Sequence, residues 1–330
     1  AKSVFQVYTV DQGTGEVINK QLKRAQFLEW FANRAPCLVG MEACGSSQHW
    51  ARKLQELGHE VKLMGGKMVK AFVCRNKSDA ADAHAIYMAA QQPGVKAVAV
   101  KTEAQQAVLA MHRIRQQLVK SRTAQINALR GLLAEYGEVF AVGRAAFNAG
   151  MKMALARLAE RLPAPLIETL RDQWNELGRL DERIARIEAA LQTWLRQNRA
   201  ATAIAAIPGV GLLTATAAVA AMGDAKAFRS GREFAAWIGL APAQTGSGGK
   251  IKLLGISKRG DTYLRTLLIH GARSVLYRVK SPSPWLAQLG QRRPPNVVIV
   301  ALANKIARTM WAVLAHERAY DKDHVSLRPA

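Results

Sequence analysis

The chain has 330 residues, enough for two or three domains with real cores, and carries 47 Lys and Arg against 24 Asp and Glu, a formal charge of +23. Such an excess calls for a polyanion, nucleic acid first and an anionic membrane surface second. No apolar run reads as a bilayer span, no signal-peptide pattern opens the chain, and three cysteines (Cys37, Cys44, Cys74) without a CxxC pair argue against a disulfide framework or zinc, so the chain reads as a cytoplasmic protein with reduced thiols.

The chain opens inside a strand, without an initiator methionine: SVFQVYTV and GEVINKQLK flank a DQGTG turn and read as a β-hairpin. AQFLEWFANR has helical spacing, and APCLVGME is an apolar run ending in an acid. HWARKLQELG is an amphipathic helix, EVKLM a short strand, and residues 79–91 a helix. Together they predict a mixed α/β sheet. From about Thr102 long helices take over. Met111, Ile114, Leu118, Ile126, Leu129 and Leu133 form one stripe, and Leu170, Leu177, Leu180, Ile184, Ile187, Leu191 and Trp194 a second with coiled-coil spacing. The two could fold back as an antiparallel hairpin or pair between subunits. GEVFAVGRAAFNAG and LPAP between them read as loop or short helix. Near residue 200, IPGVG (207–211) before an Ala-rich helix has the pattern of a helix-hairpin-helix, where Gly209 and Gly211 let backbone approach a phosphate; a tight interhelix turn is the alternative, and the upstream helix and basic composition favour the DNA contact. The expected division is 1–101 for an α/β domain, 102–200 for the coiled-coil segment and 201–330 for a mainly helical C-terminal domain.

Three acids carry the first chemical question. Asp79 and Asp82, in RNKSDAADAHAI, lie one turn apart on a helix start, where Ser78 or Asp79 can cap the helix and early acids suit its dipole. The same spacing lets both carboxylates reach one divalent cation. Glu42, at the end of PCLVGME before a glycine turn, is either a surface acid or a third ligand. Three carboxylates in one α/β region, with excess base elsewhere, fit two-metal phosphoryl transfer with Mg²⁺. His84 and His270 read as structural or phosphate-contacting. Between Arg229 and Lys280 there are ten Lys and Arg against two acids. Within that stretch TGSGGK (245–250) is a glycine loop around a serine, and Lys250, Lys252, Lys258, Arg259 and Arg265 are candidate phosphate contacts. Ser257, before KRGD, suits a helix cap or a phosphate contact.

The ordered set AKSVFQVYTVD, GMEACGSSQHWARKL, RNKSDAADAHAI, AVKTEAQQAVLAMHRIRQQLVKSRTAQINALRGLLAEYG, AIPGVGLLTA, FAAWIGLAPAQTGSGGKIKLLGISKRGDTYLRTLLIHGAR and NKIARTMWAVL resembles, almost end to end, the insertion-sequence transposases that act as bridge-RNA-guided serine recombinases. The resemblance implies an RNase H-like, Holliday-junction-resolvase-like domain with an Asp-Glu-Asp-Asp metal site, followed by a C-terminal transposase domain. It makes Glu42, Asp79 and Asp82 the last three acids of that site. The first is expected on the opening strand before Ala1, Asp11 being at the wrong end of that strand. It makes Ser247 the residue that joins covalently to DNA phosphate, with Ser257 its rival; Gly246 stands where the family often has a first serine, which leaves the alignment open by one residue. The implied partners are DNA, a bridge-type guide RNA and further copies of the chain, as a dimer or tetramer. A metal-dependent junction-resolving nuclease without a covalent serine step is the alternative, and a non-enzymatic nucleic-acid-binding protein the third reading.

Overall fold

β-Branched and aromatic residues dominate VFQVYTV, and the turn after it is built by Asp11, whose carboxylate accepts from Gly13 N at 2.9 Å and Thr14 N at 2.8 Å. The result is an antiparallel hairpin of β1 (Val4–Val10) and β2 (Val17–Lys23), with Val7 opposite Lys20. The computed structural model describes residues 3–73 and 78–324, so Cys74 and residues 75–77 of the RNKSDAADAHAI stretch lie outside the described residues. The chain divides into two units, 1–103 and 104–330.

In the first unit, α1 (Phe27–Ala32), β3 (Leu38–Glu42), α2 (Ser47–Glu56), β4 (Glu60–Met64), α3 (Gly66–Val69), α4 (Asp79–Ala90) and β5 (Ala97–Val98) follow the hairpin. β3 and β4 are parallel, with α2 as the crossover and Glu42 opposite Met64; β5 adds to β4 antiparallel. One mixed sheet was expected. Among the described residues there are two, because β1 pairs only with β2 while β3 pairs only with β4. Side chains join what the ladders do not. Phe5 sits 4.3 Å from Phe27 and 5.0 Å from Trp50 between ring centroids, and this cluster takes in Val39 and Met41 of β3. Helix α4 lies on both sheets: Tyr8 of β1 meets His84 and Tyr87, and Gly40 of β3 has only room for hydrogen beneath Ala90.

The second unit begins with three helices: α5 (to Ala134 from Glu103), α6 (Arg144–Ala159) and α7 (Ala164–Gln197). The α5 and α7 stripes meet within one chain and run antiparallel. Arg115 pairs with Glu188 at 2.6 Å, Arg122 with Asp181 at 2.5 Å, and Gln125 bonds Gln173, so positions rise on one helix as they fall on the other. Leu177, Ile184 and Leu191 are buried as the heptad spacing requires. The first half of GEVFAVGRAAFNAG is loop as read, and from Arg144 the chain enters α6, a full helix whose Phe147, Met151, Leu155 and Leu158 fill the space beside Leu129, Leu133 and Leu170.

The chain continues through α8 (Arg199–Ala205), α9 (Leu212–Met222), α10 (Gly231–Ile238), a hairpin of β6 (Pro242–Thr245) and β7 (Lys252–Ile256), α11 (Thr262–Arg278), α12 (Pro284–Arg292) and α13 (Pro295–Ala315). Val108, Leu191 and Ala220 of α5, α7 and α9 share one buried cluster, so packing continues across residue 200. Contrary to the sequence reading, α13 is one helix long and apolar enough, by length and composition, to cross a membrane. Its Val298, Leu302, Ile306, Met310 and Val313 are buried in the protein's own core, which accounts for the apolarity.

A polar network also ties these helices. His112, 1 % exposed, accepts at Nδ1 from the Tyr263 hydroxyl (3.0 Å) and donates from Nε2 to Thr216 Oγ1 (2.9 Å), whose own proton goes to Leu212 O (2.8 Å). Burial, then the nearby Arg115 charge, lowers the His112 pKa from its ordinary 6.5 to about 4, against a smaller opposing pull from Asp261. The unfolded chain therefore takes up a proton on this residue at a pH where the folded chain does not. Stability from this group is complete above pH 6.5 and is lost as pH falls towards 4, by about 3 kcal/mol in all. Denaturation midpoints from pH 7 to 4 should fall more steeply for the parent than for His112→Gln. Parallel profiles would remove His112 from the account.

Candidate active site and nucleic-acid interface

Ser78 Oγ accepts from Ala81 N at 3.2 Å, so the serine caps α4 and neither aspartate is needed for that role. Asp79 is the first helical residue and exposed; Asp82 is half-buried one turn on. Glu42 ends β3, its carboxylate lying so close over Gly66 that a side-chain carbon there would overlap Oε1. Among the described residues none of the three forms an ion pair, in a chain with 47 Lys and Arg. Their hard oxygens suit Mg²⁺ in kind. In position they fall short: no group of three His, Cys, Asp or Glu side chains among the described residues stands close enough to hold a metal. His84 points to β1, its ring 4.9 Å from Tyr8, which supports the structural reading of that residue.

The glycine loop proves to be the tip of the β6–β7 hairpin. Ser247 is exposed, its carbonyl closes the turn with Lys250 N at 3.1 Å, and its hydroxyl has no hydrogen bond among the described residues. Gly246 has φ +157° and faces Lys250 O so closely that any side chain would overlap it. A serine at 246 is thus incompatible with this turn, and Ser247 is the loop's serine. Lys250 and Lys252 are exposed beside it. Ser257 follows β7, with its amide donating to Ala241 O; the cap of α11 is Asp261, which accepts from Leu264 N at 3.0 Å, so the cap reading of Ser257 is incorrect.

Two arginines six apart take opposite directions. Lys258 and Arg259 are exposed on a loop whose backbone is pressed against the end of α10. Arg265 is 7 % exposed and turned inward, donating to Ile238 O and Arg259 O at 2.7 Å each and to Thr262 Oγ1 at 3.1 Å. This corrects the assignment of Arg265 to phosphate: it holds the loop that presents Arg259. Arg265→Leu should cost about 3 kcal/mol in a denaturant titration, because buried carbonyls lose charged donors. Unchanged stability with weakened DNA binding would restore the phosphate role.

In the IPGVG turn, Gly209 has φ +87° and packs its backbone against Gly271 of α11, so its lack of a side chain is already explained by helix packing. Gly211 begins α9 and faces open space. Between turn and helix lies a hollow of about 690 Å³, walled by Pro208, Gly211, Thr214, His270 and Ser274, with Glu188 at its edge. His112 was not anticipated. The stripe read from sequence ran through Ile114, which is 48 % exposed, whereas the helix turns His112 inward. The available signal was a histidine beside Met111 on an otherwise apolar face.

Two family descriptions match the chain. Residues 1–138 match a DEDD-type transposase of the IS110 group, and residues 201–288 the "Transposase IS116/IS110/IS902 family". A probable family 20 transposase of Pseudomonas aeruginosa is 50 % identical over 97 % of this chain and 96 % of its own length. The transposase for insertion sequence element IS1111A of Coxiella burnetii is 42 % identical over 97 % and 89 %, and that for IS1328 of Yersinia enterocolitica 37 % over 97 % and 96 %. On identity of that extent over nearly its whole length, with both family descriptions in order along it, the chain belongs to the IS110/IS116 family of insertion-sequence transposases.

Proposed function

We propose that the chain cuts and rejoins DNA as a site-specific recombinase with Ser247 as nucleophile, a Mg²⁺-carboxylate site at Glu42, Asp79 and Asp82, and a guide RNA that selects the target by base pairing. The observation that carries the reading is the unengaged Ser247 hydroxyl on an exposed hairpin tip flanked by Lys250 and Lys252. Its Oγ attacks a backbone phosphorus, the bond to the departing deoxyribose oxygen breaks, and the serine's proton balances the one that oxygen takes up. The phosphoserine ester keeps the bond energy for religation to another strand. Lys250, Lys252, Lys258 and Arg259 hold phosphates nearby without reading bases, and the turn at Gly209 and Gly211 acts as a helix-hairpin-helix contact. When bound, the metal would offset charge on the phosphate oxygens. Carboxylates without a cation repel one another, and the three stand apart; a divalent ion would supply the charge that holds them. An RNase H-like architecture for the first unit, coiled-coil packing of the long helices, and assembly as a dimer or tetramer in the cytoplasm complete the reading.

The test is incubation of the protein with cognate DNA, guide RNA and Mg²⁺, followed by a denaturing gel. A protein–DNA adduct and RNA-dependent strand exchange are expected. Asp79→Asn, Asp82→Asn and Glu42→Gln should each lower strand exchange roughly a thousandfold while leaving the melting temperature unchanged or slightly raised. Metal-dependent cleavage without any adduct would favour a junction-resolving nuclease, and neither activity would leave a binding protein.

A further inference from the structure

Where the α5–α6 connection lies against α5, a hollow of about 370 Å³ is lined by three arginines, Arg122, Arg130 and Arg144. Elsewhere on α5 and α7 arginines and acids pair singly, as in Arg115 with Glu188 and Arg179 with Glu176. Here Asp181 alone serves both Arg122 and Arg144 through one carboxylate oxygen. Among the described residues Arg130 has only neutral partners, the carbonyls of Phe140 (3.0 Å), Ala141 (2.7 Å) and Gly143 (2.9 Å) and the rings of Phe140 and Phe147. Three positive charges thus face one negative, and no acidic residue lines the hollow.

Donors remain as well as charge. A guanidinium has five N–H groups, and Arg122 and Arg144 use few of theirs on Asp181. The Asn127 amide, exposed in the same wall, has no hydrogen bond among the described residues. The loop is fixed rather than adaptable, since Arg130 fastens three of its carbonyls. A concave, preset cluster of guanidiniums with spare donors matches the tetrahedral oxygens of phosphate, which arginine binds in pairs of bonds. We propose that this hollow binds a phosphodiester of a nucleic-acid strand, at residues separate from the serine and carboxylates. It supplies a phosphate anchor on the helical hairpin. The proposal concerns binding alone and stands or falls without the serine chemistry.

The experiment measures affinity of the full chain for a mixed-sequence DNA duplex and for a mixed-sequence RNA hairpin, each across a salt series. Asn127→Asp puts a carboxylate into the hollow without removing any arginine contact, and Gln117→Glu makes the same charge change on α5 outside it. Asn127→Asp should weaken DNA, RNA or both about tenfold more than Gln117→Glu, with the salt slope shallower by about one ion. The arm that changes identifies the strand that supplies the phosphate. Arg144→Gln, which leaves the Arg122–Asp181 pair in place, should weaken the same arm with its melting temperature checked alongside. Equal effects of the two acidic variants, or no change in either arm, would overturn the proposal, as would an unaffected Arg144→Gln.

Discussion

Ser247→Ala should abolish every covalent protein–DNA adduct and all strand exchange while DNA and RNA affinities stay within about twofold of the parent. The covalent step needs an oxygen nucleophile on an element that reaches phosphorus, and a methyl group provides none. Folding should be untouched: the side chain is exposed and makes no hydrogen bond among the described residues, and the turn is closed by backbone, Lys250 N to Ser247 O. The exposed lysines remain, so phosphate binding remains. Ser257→Ala is the matched control. Its amide, not its hydroxyl, pairs with Ala241, so at most a modest loss of activity is expected. Adducts persisting in Ser247→Ala and vanishing in Ser257→Ala would reassign the nucleophile.

Ile184→Asp should destabilise the second unit by about 4 kcal/mol. The isoleucine is 5 % exposed in the cluster that joins α5, α6 and α7, so its removal forfeits the burial of a large aliphatic group. The replacement adds a carboxyl with no polar partner designed for it, which either stays protonated or forces the helices apart. Ala185→Asp, one residue along and exposed, makes the same charge change with only a propensity cost, below about 1 kcal/mol. Denaturant titrations of the two variants should therefore separate widely. Coincident curves would mean that the seam contributes little.

Strong periodicity made the long helices readable: residues three and four apart from Leu170 to Trp194 specify a buried face whatever it packs on, and that face is where Leu177, Ile184 and Leu191 lie. The partner was not readable, because heptads suit a neighbour in the same chain or another copy equally. Pairs such as Arg122–Asp181 settle it spatially. Helix α6 was obscured by Gly137, Gly143 and Gly150, which punctuate the local sequence. Gly137 and Gly143 lie outside the helix with positive φ, and Gly150 sits inside it because Phe140 packs against its bare backbone. Among the basic residues, composition could not separate Arg259 from Arg265. Their opposite directions come from the loop's contact with α10, a tertiary fact. The acids were legible as residue types at a strand end and a helix start, but their mutual positions were not.

The β6–β7 hairpin has a dynamic consequence for any chemistry at its tip. Among the described residues it is a two-stranded ribbon with no third strand, and Ile251 (70 % exposed), Leu253 and Leu254 lie largely in solvent. Such a ribbon gains little from burial and opens locally at small cost. Its amides should exchange with deuterium far faster than those of α9 or α13 behind it. Under the proposed serine chemistry, a nucleophile on this element would be held in place chiefly by what it docks upon, so part of the binding energy of a correct substrate would go into ordering Ser247. Away from that substrate, attack by the proposed nucleophile on stray phosphates would be slow, and the hairpin's sparse packing would thereby serve fidelity.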